Sequence, residues 1–209
     1  MAAAVGSGLA AAYILAVRPW HLRWGTAPGE DQNALPGDDL VPNPKWQATH
    51  AVTIYAPADK VWPWLAQMGQ GRGGFYSYDW LENLAGMDIH NARQILPEYQ
   101  ALQPGDVIPF WKGAGVSVQS VEPGRSLVLG GSLVQGGDQA GNMGGSWTFI
   151  LQPLDATATR LVVRSRVAGF EPEWLSALLY ALLLEPAHFI MERKMLLTIK
   201  ELSEKGTNL

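Results

Sequence analysis

The chain contains no cysteine. That absence excludes thiol nucleophiles, disulfides, iron–sulfur clusters and thiolate zinc sites together. Charge is scarce as well: Asp, Glu, Lys and Arg make up 16% of the 209 residues, well under the ~25% of an average soluble domain. With 47% hydrophobic residues, a disordered or solvating chain is excluded. A chain of this length buries roughly 70% of its unfolded surface without help from metal or cross-links. The 15 Lys and Arg are scattered and the net charge is −4, so no nucleic-acid footprint is expected. There is no G-x-S-x-G nucleophile turn, no Gly-Lys-Ser/Thr phosphate loop and no H-x-x-x-H pair. What the chain has in excess is aromatic side chains: nine Trp, six Tyr and five Phe. Such a number points to a large apolar pocket, a membrane contact, or both.

The sequence divides into three parts. Residues 1–24 form an expected apolar anchor helix: positions 2–17 carry no charge, and Arg18, Pro19, Trp20, His21, Leu22, Arg23 and Trp24 follow at once. As a helix, 2–17 would rise about 24 Å, a little short of the hydrocarbon core. The Trp-rich basic flank suits the interfacial end of a membrane segment, and a soluble helix packed on the domain is the alternative. Residues 25–46 hold four prolines and four acidic residues that interrupt any hydrophobic period, including Pro36, Pro42, Asp38 and Asp39. They read as an extended linker or a strap over the domain surface.

From residue 47 to 205 the pattern is that of one α+β domain. Ala48, His50, Val52 and Ile54 alternate with polar positions as a half-buried strand. Pro57 opens a helix bearing Val61, Leu65 and Met68 on one face, and Ser77 is placed to cap a second short helix, 78–84, that Gly86 stops. Strands are expected at 107–111, 116–121, 127–129, 147–151 and 161–167, with 133–134 as a possible seventh. Pro172 begins a long helix to about Glu204, bent at Pro186. The expected fold is a helix-grip: a curved antiparallel sheet of six to seven strands around the C-terminal helix, with two short helices after the first strand.

Three stretches carry a resemblance: TIYAPADKVWPWLAQMGQGRGGFYSYDWLENLAG (53–86), LQPGDVIPF (102–110) and EPAHFIMERKMLLTIK (185–200), with RPWHLRWG (18–25) beside them. On these the chain resembles the START-like (SRPBCC) superfamily of polyketide cyclase/dehydrase and lipid-transport domains, and within it an uncharacterised bacterial subgroup. The resemblance implies the helix-grip fold and a cavity, while related domains carry lipids, cyclise polyketides or bind partners.

Gly69-Gln70-Gly71-Arg72-Gly73-Gly74 satisfies G-x-G-x-x-G literally, but it follows a helix and leads into Phe75-Tyr76. A dinucleotide site needs a strand before and a helix after, so a cavity-mouth loop is expected instead. Residues 130–146 contain seven glycines and read as a flap beside the sheet. Trp62, Trp64, Tyr76, Tyr78, Asp79, Trp80, Phe110, Trp147, Arg164 and Phe189 are the expected ligand-binding residues. On the C-terminal helix, Trp174, Leu178, Ala181, Glu185, Phe189, Glu192, Leu196 and Ile199 share one stripe, with His188 at its edge. Buried carboxylates need partners, and Arg164 and Arg166, on one face of their strand, are the expected ones. If the protein is an enzyme, Glu185, His188 and Glu192 are its acid–base candidates.

These observations lead to a binding or transport domain for a hydrophobic small molecule (a lipid, polyketide or polycycle), attached to the membrane through residues 2–24. The alternatives are a cyclase/dehydratase-type enzyme and an accessory subunit for a protein partner. No metal, cofactor or nucleic acid is expected, since Glu185-x-x-His188 occurs only once. The main domain is expected on the cytoplasmic side, or the whole chain soluble in the cytoplasm.

Overall fold

A computed structural model describes residues 12–111, 113–135, 138–139, 144–169, 172 and 180–205. The expected anchor residues 2–11, parts of the 130–146 flap, and Trp174 and Leu178 of the stripe lie outside them.

The architecture is α+β. The described residues form seven strands: β1 (Trp46–Ile54), β2 (Val107–Trp111), β3 (Ala114–Glu122), β4 (Ser126–Gln135), β5 (Asp138–Gln139), β6 (Gly145–Pro153) and β7 (Thr159–Val167). They form one antiparallel sheet in the order β1-β7-β6-β4-β3-β2, with β5 pairing β4. The expected strand at 133–134 belongs to β4 itself. Four α-helices are found among the described residues: α1 (Arg18–His21), α2 (Ala58–Ala66), α3 (Asp79–Leu84) and α4 (Glu185–Lys205). A π-helical segment, Tyr13–Val17, leads into α1, and another, Tyr180–Leu184, leads into α4. The register of β1 against β7, from Trp46↔Val167 to Ile54↔Thr159, sets Trp46, Ala48, His50, Val52 and Ile54 on one face.

That face carries the core. Ile54, Val61, Leu65, Phe149, Leu161, Val163, Leu196 and Ile199 join α2, the sheet and α4 in one buried cluster. A fully buried Leu or Ile of this kind contributes roughly 1.5–3 kcal/mol. Pro63 sits inside α2, one turn in. Ser77 does not cap α3: Tyr78 holds the cap position without a side-chain bond, and the Ser77 hydroxyl donates to the Met191 carbonyl at 2.9 Å. It ties the α3 entry to α4 instead.

Residues 25–45 cross the opposite face of the sheet as a strap. Glu30 takes Arg160 at 2.6 Å, and Asp38 takes Arg164 at 2.7 Å and Arg166 at 3.4 Å. Arg164 also donates to the carbonyls of Asn33 and Asp31, each at 2.8 Å. Before the strap, the N–H groups of Thr49 and Ala51 donate to the carbonyls of Leu22 and Trp24, which covers the otherwise open edge of β1. At Gly25 the chain turns with φ of 78°, and a side chain there would place Cβ 2.0 Å from the Ala51 carbonyl oxygen. Only glycine permits that approach.

The N-terminal apolar helix of the expectation is not found in that form. Among the described residues no helix is long and apolar enough to cross a membrane. Tyr13–His21 runs instead beside the start of α4. The Tyr13 hydroxyl donates to the Ala181 carbonyl at 2.6 Å, and Arg18 clamps Glu185 through Nε and Nη2 at 2.7 and 2.8 Å.

Candidate functional site

Between the sheet and α4 lies a cavity of about 520 Å³, within the range of small-molecule sites. Its apolar wall is aromatic and thioether-rich. Phe75 stacks on Phe110 with ring centroids 4.8 Å apart, and Phe110 lies 5.8 Å from Trp147. Trp46, Met87, Met191 and Met195 complete the wall. Methionine fills irregular space and adapts to different ligand shapes.

A polar group of residues drawn from four elements interrupts this lining. Glu192 is on α4, 3% exposed, and both of its oxygens are engaged. His50 on β1 bonds through Nδ1 to Oε2. Trp147 Nε1 donates to Oε1 at 2.8 Å and the Ser165 hydroxyl at 3.4 Å. The second nitrogen of His50 bonds the His21 carbonyl at 2.7 Å. His50 thus bridges the His21 carbonyl and the Glu192 carboxylate through its two ring nitrogens. Burial would raise the Glu192 pKa, but the charges of His188 and His50 and the His50 bond outweigh it and hold the carboxyl well below the usual range.

His188 is the open member. Its Nε2 lies 3.3 Å from Glu192 Oε1, an ion-pair distance without hydrogen-bond alignment, so the atom has no hydrogen-bond partner. The ring borders the cavity and packs edge-on to Trp46 at 4.9 Å. The ligand atoms of His50, His188 and Glu192 lie within 4.8 Å of one another, a donor set that suits a divalent ion. Here the carboxylate oxygens are already taken by His50, Trp147 and Ser165, and His188 stands beside them at ion-pair distance.

The expected site residues separate in the structure. Phe110, Trp147, His188 and Glu192 meet at the cavity. Trp62, Trp64 and Tyr76 lie in the core, Trp64 edge-on to Tyr76 at 5.9 Å. Burial raises the Tyr76 hydroxyl pKa. Tyr78 precedes α3 under Lys194, whose Nζ is 5.9 Å from the ring; Asp79 and Trp80 are exposed. Phe189 packs on Trp20, His21, Trp24 and His50. Glu185 is buried against Arg18 rather than facing the cavity. Arg164 is not the partner of either carboxylate, because its side chain leaves the far face of β7 for Asp38. The Gly69–Gly74 loop closes on itself through paired backbone bonds of 3.0 Å and does not line the cavity.

Beyond the apolar wall, two titratable contributors lay outside the expectation. His50 shares the inward face of β1 with Ala48 and Ile54, a parity visible in the alternation. Glu82 on α3 is 6% exposed and lines the cavity. Burial, then the nearby Asp79 charge, pushes its carboxyl up to about 7.

No family model matches the chain, and no curated protein matches it. Solved structures do match in shape. The hypothetical protein jhp0584 from Helicobacter pylori aligns at 14% identity with a TM-score of 0.51, covering 82% of this chain and 96% of its own. DynU16, from the dynemicin biosynthetic locus, aligns at 16% identity and TM-score 0.42 over 75% of this chain and 48% of its own. CalU16 from Micromonospora echinospora aligns at 16% identity and TM-score 0.36 over 78% and 87%. The likeness to the Helicobacter pylori protein is one of fold alone. The chain thus has an α+β architecture consistent with a helix-grip, an antiparallel sheet closed by a long C-terminal helix over a cavity of ligand size.

Proposed function

We propose that the protein binds a hydrophobic small molecule in this cavity and does so at a lipid surface. The observation that carries the reading is the cavity itself: about 520 Å³ walled by aromatic and methionine side chains, with polar groups confined to a few positions. Removing an apolar ligand from water into such a wall is favourable at about 25 cal/mol per Å². A ligand class of this kind agrees with the START-like resemblance of residues 53–86, 102–110 and 185–200. Mild purification of the full chain followed by native mass spectrometry tests it. A bound lipid or polycyclic mass is expected, and loss of that mass on Val116→Trp, which fills the cavity, ties it to the site.

The lipid-surface part rests on where apolar side chains are exposed. Leu15 and Trp20 are 77% and 54% exposed, and Leu182 and Leu183 beside them are 63% and 61% exposed. Both elements continue into uncharged sequence, at 2–17 and at 174–184, and each run ends at a member of the Arg18–Glu185 pair. Trp20 and the exposed Arg23 supply the aromatic and basic rim favoured at headgroup level. The contact is interfacial and requires no described helix to span the bilayer.

A second reading, an acid–base enzyme of the cyclase or dehydratase type, is favoured by one feature. His188 borders the cavity with its Nε2 turned 3.3 Å from Glu192, an imidazole backed by a carboxylate as in general acid–base sites. Turnover of a bound polyketone that is lost in His188→Gln and retained in Trp80→Ala would establish it.

A further inference from the structure

Helix α3 is built the wrong way round for a surface helix. Its sequence is DWLENL, and it exposes Trp80 at 65% and Leu84 at 79% while its one buried residue is Glu82. A helix normally turns its apolar face to the core and its carboxylates to water. Local violations of that pattern concentrate where a site needs them.

The buried end of Glu82 is also unsatisfied. Its Oε2 is buried and has no hydrogen-bond partner, and no ion pair joins the residue to any described residue. The side chain lines the same cavity as Phe75, Met87 and Met191. An unpaired carboxyl in an apolar site is costly, and its neutral form is the less costly one. The titratable groups around it do not relieve this. Asp79 on its own helix raises its proton affinity. On α4, His188 and Glu192 engage each other, and Lys194 lies over the Tyr78 ring. On β7, the Arg166 guanidinium is held by Gln47 and Asp38 on the far side of the sheet. The facing residues of β2 and β3, Phe110, Trp111, Ala114 and Val116, carry no charge.

Resting on the ligand-binding reading above, we propose that Glu82 selects the ligand: its protonated carboxyl donates a hydrogen bond to a carbonyl oxygen on an otherwise apolar, uncharged molecule. The ligand class is therefore an aromatic or polycyclic ketone rather than a bare hydrocarbon or an amine. A ketone oxygen satisfies the orphaned carboxyl without bringing a second charge into the cavity, whereas an amine would require two ions to be desolvated together. Since the carboxyl is neutral only below about pH 7, selection for the ketone is strongest in mild acid and fades as the group ionises.

Fluorene and 9-fluorenone share a skeleton and differ by one carbonyl, and 9-aminofluorene supplies the amine. Their dissociation constants with the full chain are to be measured at pH 6 and pH 8. The expected result is a preference for fluorenone over fluorene of roughly fivefold or more at pH 6, reduced at pH 8. Glu82→Gln, which keeps an N–H donor, is expected to retain a preference that no longer changes with pH. Glu82→Leu is expected to bind fluorene but to lose the preference at both pH values. A preference that survives Glu82→Leu, that grows with pH, or that favours 9-aminofluorene overturns the assignment. Fluorene binding with no ketone preference overturns this inference alone. Failure of both fluorene and fluorenone to bind overturns the cavity reading and this inference with it.

Discussion

His50 on the first strand and Glu192 on the last helix, 142 positions apart in sequence, meet in a buried hydrogen bond between Nδ1 and Oε2. The bond fixes the pitch of α4 against β1 and leaves the adjoining His188 to face the cavity. Structure and site therefore depend on the same pair.

Removing one side of that pair exposes its cost. Glu192→Gln keeps the shape but removes the buried carboxylate charge that His50, Trp147 and Ser165 share. A break of this kind costs about 3–5 kcal/mol, to be read from urea unfolding. The double change His50→Leu with Glu192→Leu is expected to recover part of the loss, as a coupled pair does. Arg164→Met is expected to show no coupling to Glu192, because their side chains lie on opposite faces of β7.

The strap has its own dependence. Arg164 is 2% exposed, and Asp38 is its counter-ion at 2.7 Å. Asp38→Asn is expected to lower stability by ~1.5–3 kcal/mol, the range for a hydrogen bond to a charged group. Faster proteolytic cleavage within 25–45 in the variant would place the loss in the strap.

Glu82 gives a pH dependence whose sign is set by the direction of its shift. Its carboxyl is raised in the folded protein to about 7 from 4.5, so the folded state holds the proton longer than the unfolded chain. Between those values stability falls as pH rises, by up to about 3 kcal/mol. The penalty is absent below pH 4.5 and complete above about 7. Glu82→Gln is expected to remove it, so that the variant is more stable than the parent at pH 8. Equal stability of the two at pH 8 would mean that the carboxyl is not buried in the way described.

The lipid contact is tested by sedimentation with vesicles containing anionic phospholipid. Replacing both Leu182 and Leu183 with Ser removes two side chains more than 60% exposed, and partitioning is expected to fall roughly tenfold or more. Unchanged partitioning would locate any membrane affinity outside this face.

Much of the fold was legible in the chain because it rests on period. Alternation and turn residues located β1, β2, β6 and β7 to within a few residues, and the helical stripe placed Glu192 inward with His188 at its edge. Period does not say which face of a strand turns inward. Arg164 and Arg166 share a face, as expected, but it is the outer one, where the acidic strap waits. Ser165, between them, is the residue that reaches Glu192. The stripe likewise could not show that Glu185 meets Arg18, a contact across 167 positions. Glu82 was illegible for a different reason: its burial reverses the pattern of its own short helix and follows only from how α3 docks beside Met191 of α4.

The most direct test of the account is an equilibrium titration of the full chain with a neutral fluorescent naphthalene probe, in parallel with Val116→Trp. Binding to one site per chain is expected, with a negative heat-capacity change from burial of apolar surface. It is expected to be lost in Val116→Trp while the circular dichroism of the fold is unchanged. The absence of saturable binding, or equal binding to the filled variant, would contradict the claim that this cavity holds a hydrophobic ligand.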